Sequence, residues 1–211
     1  MEAIRLLFLI SSLNGHELCA GDISNAYLYA QCREKLYVVA RDDFGKHCGK
    51  VMLIVKSWYG LKTSAAAWAE HLANTLFSMG FKPSKADPNV WMRRKGEQYE
   101  YVASYVDDLC AASHDVMALM DEFKQHYSLK GVGSPIYYLG GDIVDLSKFW
   151  KDEGLVIGLS ATTYIKRIVE NLEREIGRGK EHWNFRKYRS PLPDGYHPEI
   201  CDSLLLLWLY C

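Results

Sequence analysis

Acidic side chains that follow two separate strand-like stretches are the clearest chemical feature of this sequence. Asp22 follows one stretch, and the pair Asp107-Asp108 follows another much farther along the chain. Carboxylate oxygens are ligands that Mg²⁺ prefers, together with water and substrate phosphates. Carboxylates that converge from two strand ends can hold a pair of divalent cations, which clamp the attacking and leaving oxygens of an in-line phosphoryl displacement. The pattern therefore predicts a metal-dependent phosphoryl-transfer centre.

A structural interpretation of the same aspartates is the alternative. Aspartate is common at turns and at helix N-termini, because its side chain accepts hydrogen bonds from nearby backbone N–H groups. For Asp22 taken alone, this interpretation is the stronger one. The three aspartates taken together with their flanking residues favour metal ligation.

The composition is that of an ordinary globular protein. The 211 residues are 49% apolar and 24% charged, and seven Phe and fourteen Tyr can build a proper core. This length suits one domain, or one domain plus a fragment of another. The formal net charge is −1, so a nucleic-acid partner would have to meet a local basic stripe. The six cysteines show no CxxC spacing, which predicts reduced thiols in an intracellular protein.

Two apolar runs are too short to cross a bilayer. Residues 6–10 fit a buried helix that ends at Asn14-Gly15, and residues 204–209 form the second run. A transmembrane helix needs about 20 consecutive apolar residues. The sequence therefore predicts no membrane partner.

Hydrophobic periodicity predicts a mixture of helices and strands. Helices are expected at residues 4–13, 63–79, 116–129 and 162–175. Strands are expected at residues 17–21, 36–40, 51–55, 90–94, 99–106, 109–112, 136–144 and 155–159. Because these elements do not alternate in regular βαβ units, we expect the α+β class, with an antiparallel sheet covered by helices on one face.

Five segments, in this order, resemble the reverse transcriptase region of copia-type retrotransposon polyproteins. They are residues 4–28, 56–64, 80–88, 105–108 and 138–140, and the fourth reads Tyr-Val-Asp-Asp. The resemblance implies a reverse-transcriptase palm with partial fingers over residues 1–145. It further implies the exit of the primer grip and the start of a thumb or connection over residues 146–211. The function that it implies is RNA-directed DNA polymerisation.

The same resemblance implies which residues carry the chemistry. The catalytic set is Asp22, Asp107 and Asp108, and the metal-binding set adds Ile23. Two Mg²⁺ ions are implied, with Mn²⁺ as a substitute. They would lower the pKa of the primer 3′-hydroxyl and neutralise charge on the leaving pyrophosphate.

Substrate-binding residues also follow from the resemblance. Tyr27 matches an aromatic ring that lies under the incoming sugar and clashes with a 2′-hydroxyl. The nucleotide and template set is Tyr27, Tyr59, Gly60, Lys62 and Ser64, and the primer grip is Tyr138, Leu139 and Gly140. A purely structural role, in the core, in a loop or in a plain hairpin, is the open alternative for each of these residues.

The implied partners are an RNA template, a DNA primer, deoxynucleoside triphosphates (dNTPs) and the remaining parts of a Gag-Pol polyprotein. Those parts are the fingers, the thumb and ribonuclease H. The implied location is intracellular, either cytoplasmic in a virus-like particle or nuclear.

Several positions depart from the family pattern. Thr63, Ala65 and Ala66 stand where the family has Gln, Pro and Arg, and the loss of that Arg removes a cation from the substrate groove. Gly141 replaces a bulky apolar residue of the primer grip. The sequence starts at the first palm helix, so we expect a piece of a polyprotein that lacks the finger strands and is inactive alone.

Two other hypotheses stay open. The chain could be an inactive remnant of the same fold that binds nucleic acid at most weakly. Residues 178–189 mix basic and aromatic side chains; this mixture suits single-stranded or hybrid nucleic acid, but a solvated loop is the favoured interpretation. Alternatively, the chain could be a small cytosolic interaction domain with accidental motifs. That hypothesis predicts that Asp22 and Asp107 lie far apart in space.

Overall fold

The computed structural model describes residues 2–149 and 156–177. The α-helices are Glu2–Asn14 (α1), Ser64–Ser78 (α2), Val116–Lys124 (α3) and Thr162–Gly177 (α4). The strands are Glu17–Ile23 (β1), Tyr37–Val39 (β2), Val51–Leu53 (β3), Lys82–Pro83 (β4), Val90–Lys95 (β5), Gln98–Tyr105 (β6), Asp108–Ser113 (β7), Leu129–Gly133 (β8), Tyr137–Tyr138 (β9), Gly141–Asp145 (β10) and Ile157–Ser160 (β11). The basic segment 178–189 and the apolar run 204–209 lie outside the described residues. The chain divides into two units, Met1–Tyr164 and Ile165–Cys211.

The larger antiparallel sheet of the first unit positions the acidic residues. Within the described residues its strand order is β4-β5-β6-β7-β1-β8. Strand β1 pairs with β7 from Glu17 opposite Ser113 to Asp22 opposite Asp108. Strands β6 and β7 form a hairpin in which Tyr105 is paired with Asp108. The end of β1 and the turn of this hairpin therefore meet at the same end of the sheet.

Hydrophobic clusters cover both faces of this sheet. Cys19 and Leu109 belong to the cluster packed under α2 and α3, whereas their strand neighbours Ala20 and Cys110 pack in the cluster that includes α1. Successive side chains of a strand point to opposite faces, so α1 lies opposite α2 and α3. The expectation that helices cover only one face is therefore wrong. The central strands are apolar on both faces, and each face must be shielded from water.

Smaller sheets flank this core. Strands β2 and β3 form a separate hairpin, and β9, β10 and β11 form a sheet with the order β11-β10-β9. Leu139 and Gly140 connect β9 to β10 with φ angles of 46° and 86°. Positive φ at both central positions is typical of the tight two-residue hairpin turn. The predicted primer-grip segment is thus the tip of this hairpin.

Several predicted boundaries shift. Helix α3 ends at Lys124 instead of residue 129, and the sequence did not predict β8, which pairs with β1. Residues 41–50, between β2 and β3, contain the 3₁₀ segment Asp42–His47, which is kinked at Gly45. The Thr63 side chain makes no capping hydrogen bond to α2, and its hydroxyl donates to Glu34 at 2.7 Å. Among the described residues, every helix falls short of the length and apolarity that a membrane crossing requires.

A buried charged network joins β5, β6 and β7. Glu100 is only 2% exposed and accepts hydrogen bonds from Arg93 at 2.6 Å, Lys95 at 3.1 Å and Ser113 at 2.8 Å. The Arg93 guanidinium also lies 4.6 Å from the centre of the Phe81 ring. Burial by itself raises the pKa of Glu100, but the hydrogen bonds outweigh burial, and the pKa is lowered. The network therefore holds a carboxylate, and not a carboxylic acid, inside the fold.

Candidate active site

The predicted catalytic aspartates come together at the end of β1 and the turn between β6 and β7. Asp22 and Asp108 are direct partners across the β1–β7 pair. The backbone N–H of Ile23 donates to the Asp107 carbonyl oxygen at 2.8 Å. All three aspartates are partly exposed, so solvent and ions can reach them. This proximity contradicts the separation that the interaction-domain hypothesis predicts.

Negative charge accumulates at this end of the sheet. Burial raises the pKa of Asp108, and the neighbouring charges of Asp107 and Asp22 raise it further. Like charges at close range disfavour the ionised form, and a bound cation would reverse that effect. Three carboxylates fit a divalent cation as a donor set, since hard cations take oxygen ligands.

The side chains as placed do not form a complete coordination cluster. Within residues 2–149 and 156–177, no three His, Cys, Asp or Glu side chains lie together so that they could hold a metal ion. The Tyr59 hydroxyl donates a hydrogen bond to an Asp107 carboxylate oxygen at 3.0 Å. One Asp107 carboxylate oxygen is thus hydrogen-bonded to Tyr59, which the resemblance assigns to the nucleotide-binding set.

The turn that carries Asp107 has an unusual backbone. Val106 has a φ of 55°, a left-handed conformation that is a genuine outlier for a β-branched residue. Such strain costs about 1–3 kcal/mol, and it persists only where surrounding contacts enforce it. The indole N–H of Trp68 donates to the Val106 carbonyl oxygen at 2.7 Å. The Tyr138 hydroxyl donates to the Asp108 carbonyl oxygen at 3.3 Å.

Two aromatic rings stand beside the aspartates. The rings of Tyr27 and Tyr59 pack edge to face, with centroids 4.5 Å apart. Tyr27 lies in the 3₁₀ helix Ala26–Tyr29, which starts after Asn25 with a φ of 54°. Burial, followed by the hydrogen bond to Asp107, raises the pKa of Tyr59. Tyr59 therefore stays protonated at neutral pH and donates a hydrogen bond to Asp107.

The loop before α2 contains the remaining predicted nucleotide-binding residues. Gly60 has a φ of 95°, and both Gly60 and Lys62 are exposed. Ser64 is buried, and its hydroxyl accepts a hydrogen bond from the Trp58 backbone N–H at 3.2 Å. The structure thus brings Gly60 and Lys62 to the surface, whereas Ser64 stabilises its own loop.

Of the three residues predicted to form the primer grip, Tyr138 contacts the turn that carries the aspartates. Tyr138 is buried and donates to the Asp108 carbonyl oxygen, whereas Leu139 and Gly140 form the β9–β10 turn. The sequence motifs do not predict the contact of the buried Trp68 with Val106. A signal was present, because a buried indole N–H usually finds a hydrogen-bond partner.

Comparison with known proteins gives a consistent assignment. The family model for reverse transcriptase (RNA-dependent DNA polymerase) matches residues 1–178. The retrovirus-related Pol polyprotein from transposon RE1 of Arabidopsis thaliana is 29% identical over 124 residues, which are 56% of this chain and 8% of that protein. The putative transposon Ty5-1 protein of Saccharomyces cerevisiae is 30% identical over 128 residues, 58% of this chain and 41% of that protein.

A third relative is the transposon Ty1-BL Gag-Pol polyprotein of Saccharomyces cerevisiae, 31% identical over 121 residues. The match covers 56% of this chain and 7% of that polyprotein, so the chain spans only a small part of the polyproteins that it matches. The expected resemblance to copia-type retrotransposon polyproteins is confirmed. The chain belongs to the reverse transcriptase (RNA-dependent DNA polymerase) family.

Proposed function

We propose that this chain carries the catalytic centre of an RNA-directed DNA polymerase, which adds deoxynucleotides to a primer 3′-hydroxyl. One observation supports this function above all others. The strand register pairs Asp22 with Asp108, directly after Asp107, at one end of the sheet. Paired strands fix the spacing of these backbones before any ligand binds, and catalysis by electrostatic stabilisation depends on such preorganisation.

Asp22, Asp107 and Asp108, together with Ile23, would hold two Mg²⁺ ions, or Mn²⁺ in their place. When bound, such ions act as Lewis acids on the attacking hydroxyl and on the phosphate oxygens. The three carboxylates supply the negative charge that holds cations here, and burial together with that charge raises the pKa of Asp108. In the reaction, the primer 3′-oxygen attacks the α-phosphorus of a dNTP and pyrophosphate leaves.

The aromatic pair would select the sugar. Tyr27 is held against Tyr59 next to Asp107, where a rigid ring leaves no room for a 2′-hydroxyl. Tyr59 would contact the nascent base pair, and the exposed Gly60 and Lys62 would approach phosphates of the nucleotide or template. Tyr138, with the Leu139-Gly140 turn, would hold the primer end.

The proposed partners are an RNA template, a DNA primer, dNTPs and other parts of a Gag-Pol polyprotein, namely fingers, thumb and ribonuclease H. The low net charge of this chain supports a requirement for other, more basic parts of the polyprotein in nucleic-acid binding. The chain has a net charge of −1, and nucleic-acid affinity depends on Lys and Arg neutralising phosphates. Regions outside this chain would supply much of that positive charge.

Primer extension tests the proposal. A longer protein that restores the flanking polyprotein regions should extend a DNA primer on an RNA template when Mg²⁺ is present. Asp107→Asn should lower the rate by about a hundredfold or more, the scale for loss of a charge-stabilising group. Asp121→Asn, on the exposed side of α3, is the matched control and should leave the rate unchanged. Equal extension by wild type and Asp107→Asn would refute the assignment.

A catalytically inactive remnant of the same fold is the second candidate. It is favoured by the hydrogen bond between Tyr59 and Asp107 and by the incomplete cluster of ligands. A remnant would show no extension even after the flanking regions are restored. Extension that needs both Mg²⁺ and Asp107 would exclude it.

A further inference from the structure

The turn between β6 and β7 needs an external restraint. Val106 holds a φ of 55°, whereas turns with positive φ normally use Gly, Asn or Asp, whose side chains tolerate that region. Valine is β-branched and 39% exposed here, so its own packing contributes little restraint. Without a contact on the Val106 peptide, the turn would relax and shift Asp107, whereas Asp108 is held by its pairing with Asp22.

Trp68 supplies that contact from α2. Its indole N–H donates to the Val106 carbonyl oxygen at 2.7 Å, a short distance for an N–H donor. The side chain is only 2% exposed, so water has little access to its indole N–H. The indole packs edge to face on Tyr127 with centroids 5.5 Å apart. The Tyr127 hydroxyl donates to Thr75 on the same helix at 2.7 Å. The contact with Tyr127 therefore helps to fix the orientation of the indole that donates to the turn.

A second contact reaches the turn from the opposite face of the sheet. Tyr138 packs in the cluster with α1, and its hydroxyl donates to the Asp108 carbonyl oxygen at 3.3 Å. This distance exceeds the usual range for O–H donors, so the bond is the weaker of the two. Both contacts are made to backbone carbonyls, so neither occupies a carboxylate oxygen of Asp107 or Asp108.

We propose that Trp68 is a positioning residue for the catalytic turn. Its indole N–H holds the strained Val106 peptide, so that Asp107 stays beside Asp22 and Asp108, whose backbones are held by strand pairing. The inference rests on the proposed function, because it assigns Trp68 a part in building the cation site. The helix after the Gly60 loop thereby becomes a scaffold for the aspartates as well as a part of the core.

Mn²⁺ affinity provides the first test, measured by electron paramagnetic resonance of free Mn²⁺ with the 211-residue chain. Trp68→Phe keeps an aromatic ring and removes the N–H donor. It should weaken Mn²⁺ binding by about tenfold or more, the effect of losing a group that orients a metal ligand. Trp91→Phe is the matched control, since Trp91 is also buried but packs on Phe77. Tyr138→Phe should have a smaller effect than Trp68→Phe. Equal affinities of Trp68→Phe and Trp91→Phe would overturn the proposal.

Hydrogen exchange of the wild-type indole groups is the second test, and it needs neither metal nor a folded variant. The Trp68 indole N–H should exchange far more slowly than that of Trp58, which is 45% exposed. Equal exchange rates would show that the bond to Val106 does not exist and would end the proposal. If the wild type binds no Mn²⁺ but the Trp68 indole is protected, the proposed polymerase function fails while the restraint on the turn stands.

Discussion

Replacing Asp108 by asparagine should make the fold more stable while it removes a metal ligand. Asp108 faces Asp22 across the strand pair and directly follows Asp107. Burial and both neighbouring charges raise the pKa of Asp108, so its ionised form is disfavoured in the folded protein. An asparagine has nearly the same shape and no charge. The substitution therefore relieves repulsion without opening a cavity.

The expected gain follows from Coulomb's law. Partner residues in an antiparallel pair have Cα atoms about 5 Å apart. Two like charges at that distance repel by about 1 kcal/mol at the dielectric constant of water, and by about 3 kcal/mol at an effective value of 20. All three aspartates are partly exposed, so the lower figure applies. Asp108→Asn should raise the free energy of unfolding by about 1 kcal/mol at pH 7.

Urea denaturation in EDTA, followed by circular dichroism, measures this difference. The folded-state pKa of Asp108 lies above its ordinary value of 3.8. Ionisation of Asp108 therefore lowers the free energy of unfolding of wild type, and this loss is complete once the pH exceeds the folded-state pKa. That loss disappears as the pH falls through the folded-state pKa toward 3.8. The variant should therefore be more stable than wild type at pH 7, and the two should converge below pH 3.8.

In saturating Mg²⁺, wild type should be more stable than Asp108→Asn, the reverse of the order in EDTA. A ligand that binds only the folded state stabilises it, so wild type should gain stability with Mg²⁺ and Asp108→Asn should gain less. Asp121→Asn is the control, because Asp121 pairs with Lys124 at 2.7 Å and its loss should slightly destabilise the fold. If Asp108→Asn is less stable than wild type in EDTA at pH 7, the aspartates do not repel one another and the electrostatic reasoning is wrong.

Three further substitutions test other parts of the structure. Glu100→Gln should lower the free energy of unfolding at pH 7, measured by urea denaturation, by about 2–3 kcal/mol, since it leaves the charge of Arg93 partly uncompensated. Because the Glu100 pKa is lowered in the fold, the stabilisation by Glu100 is complete above pH 4.5 and is lost as the pH falls below that value. Tyr59→Phe frees an Asp107 oxygen and should tighten Mn²⁺ binding by about twofold to fivefold, the value of one hydrogen bond; unchanged or weaker affinity would show that Tyr59 does not compete with the cation. Tyr27→Ala, in the longer polyprotein fragment, should raise ribonucleotide incorporation, and unchanged sugar selectivity would exclude the gate role.

The convergence of the aspartates could be predicted only from the motifs. Nothing in the spacing of Asp22 and Asp107 fixes a contact between them, and the ordered resemblance around them supplied the expectation. The β6–β7 hairpin was also predictable, because a short polar turn separates two apolar runs. The hydrogen bond from Trp68 to Val106 depends on how α2 crosses the sheet, which local sequence does not encode.

The burial of the second face of the sheet by a helix could have been predicted from the sequence but was not. Residues 109–112 form an unbroken apolar run, which is typical of a strand buried on both sides. Strand β8 lacked such a signal. It contains Gly131 and Gly133, and glycine disfavours strands, so this segment becomes a strand because it pairs with β1. Tertiary pairing thus overrode local preference there.

Paramagnetic relaxation by Mn²⁺, read from amide signals of the ¹⁵N-labelled chain, tests the central claim most directly. At substoichiometric Mn²⁺, the amides of Asp22, Ile23, Asp107 and Asp108 should broaden first, and excess Mg²⁺ should reverse the effect. Broadening centred elsewhere in the chain, or none at these four amides, would contradict the assignment of this end of the sheet as a divalent-cation site.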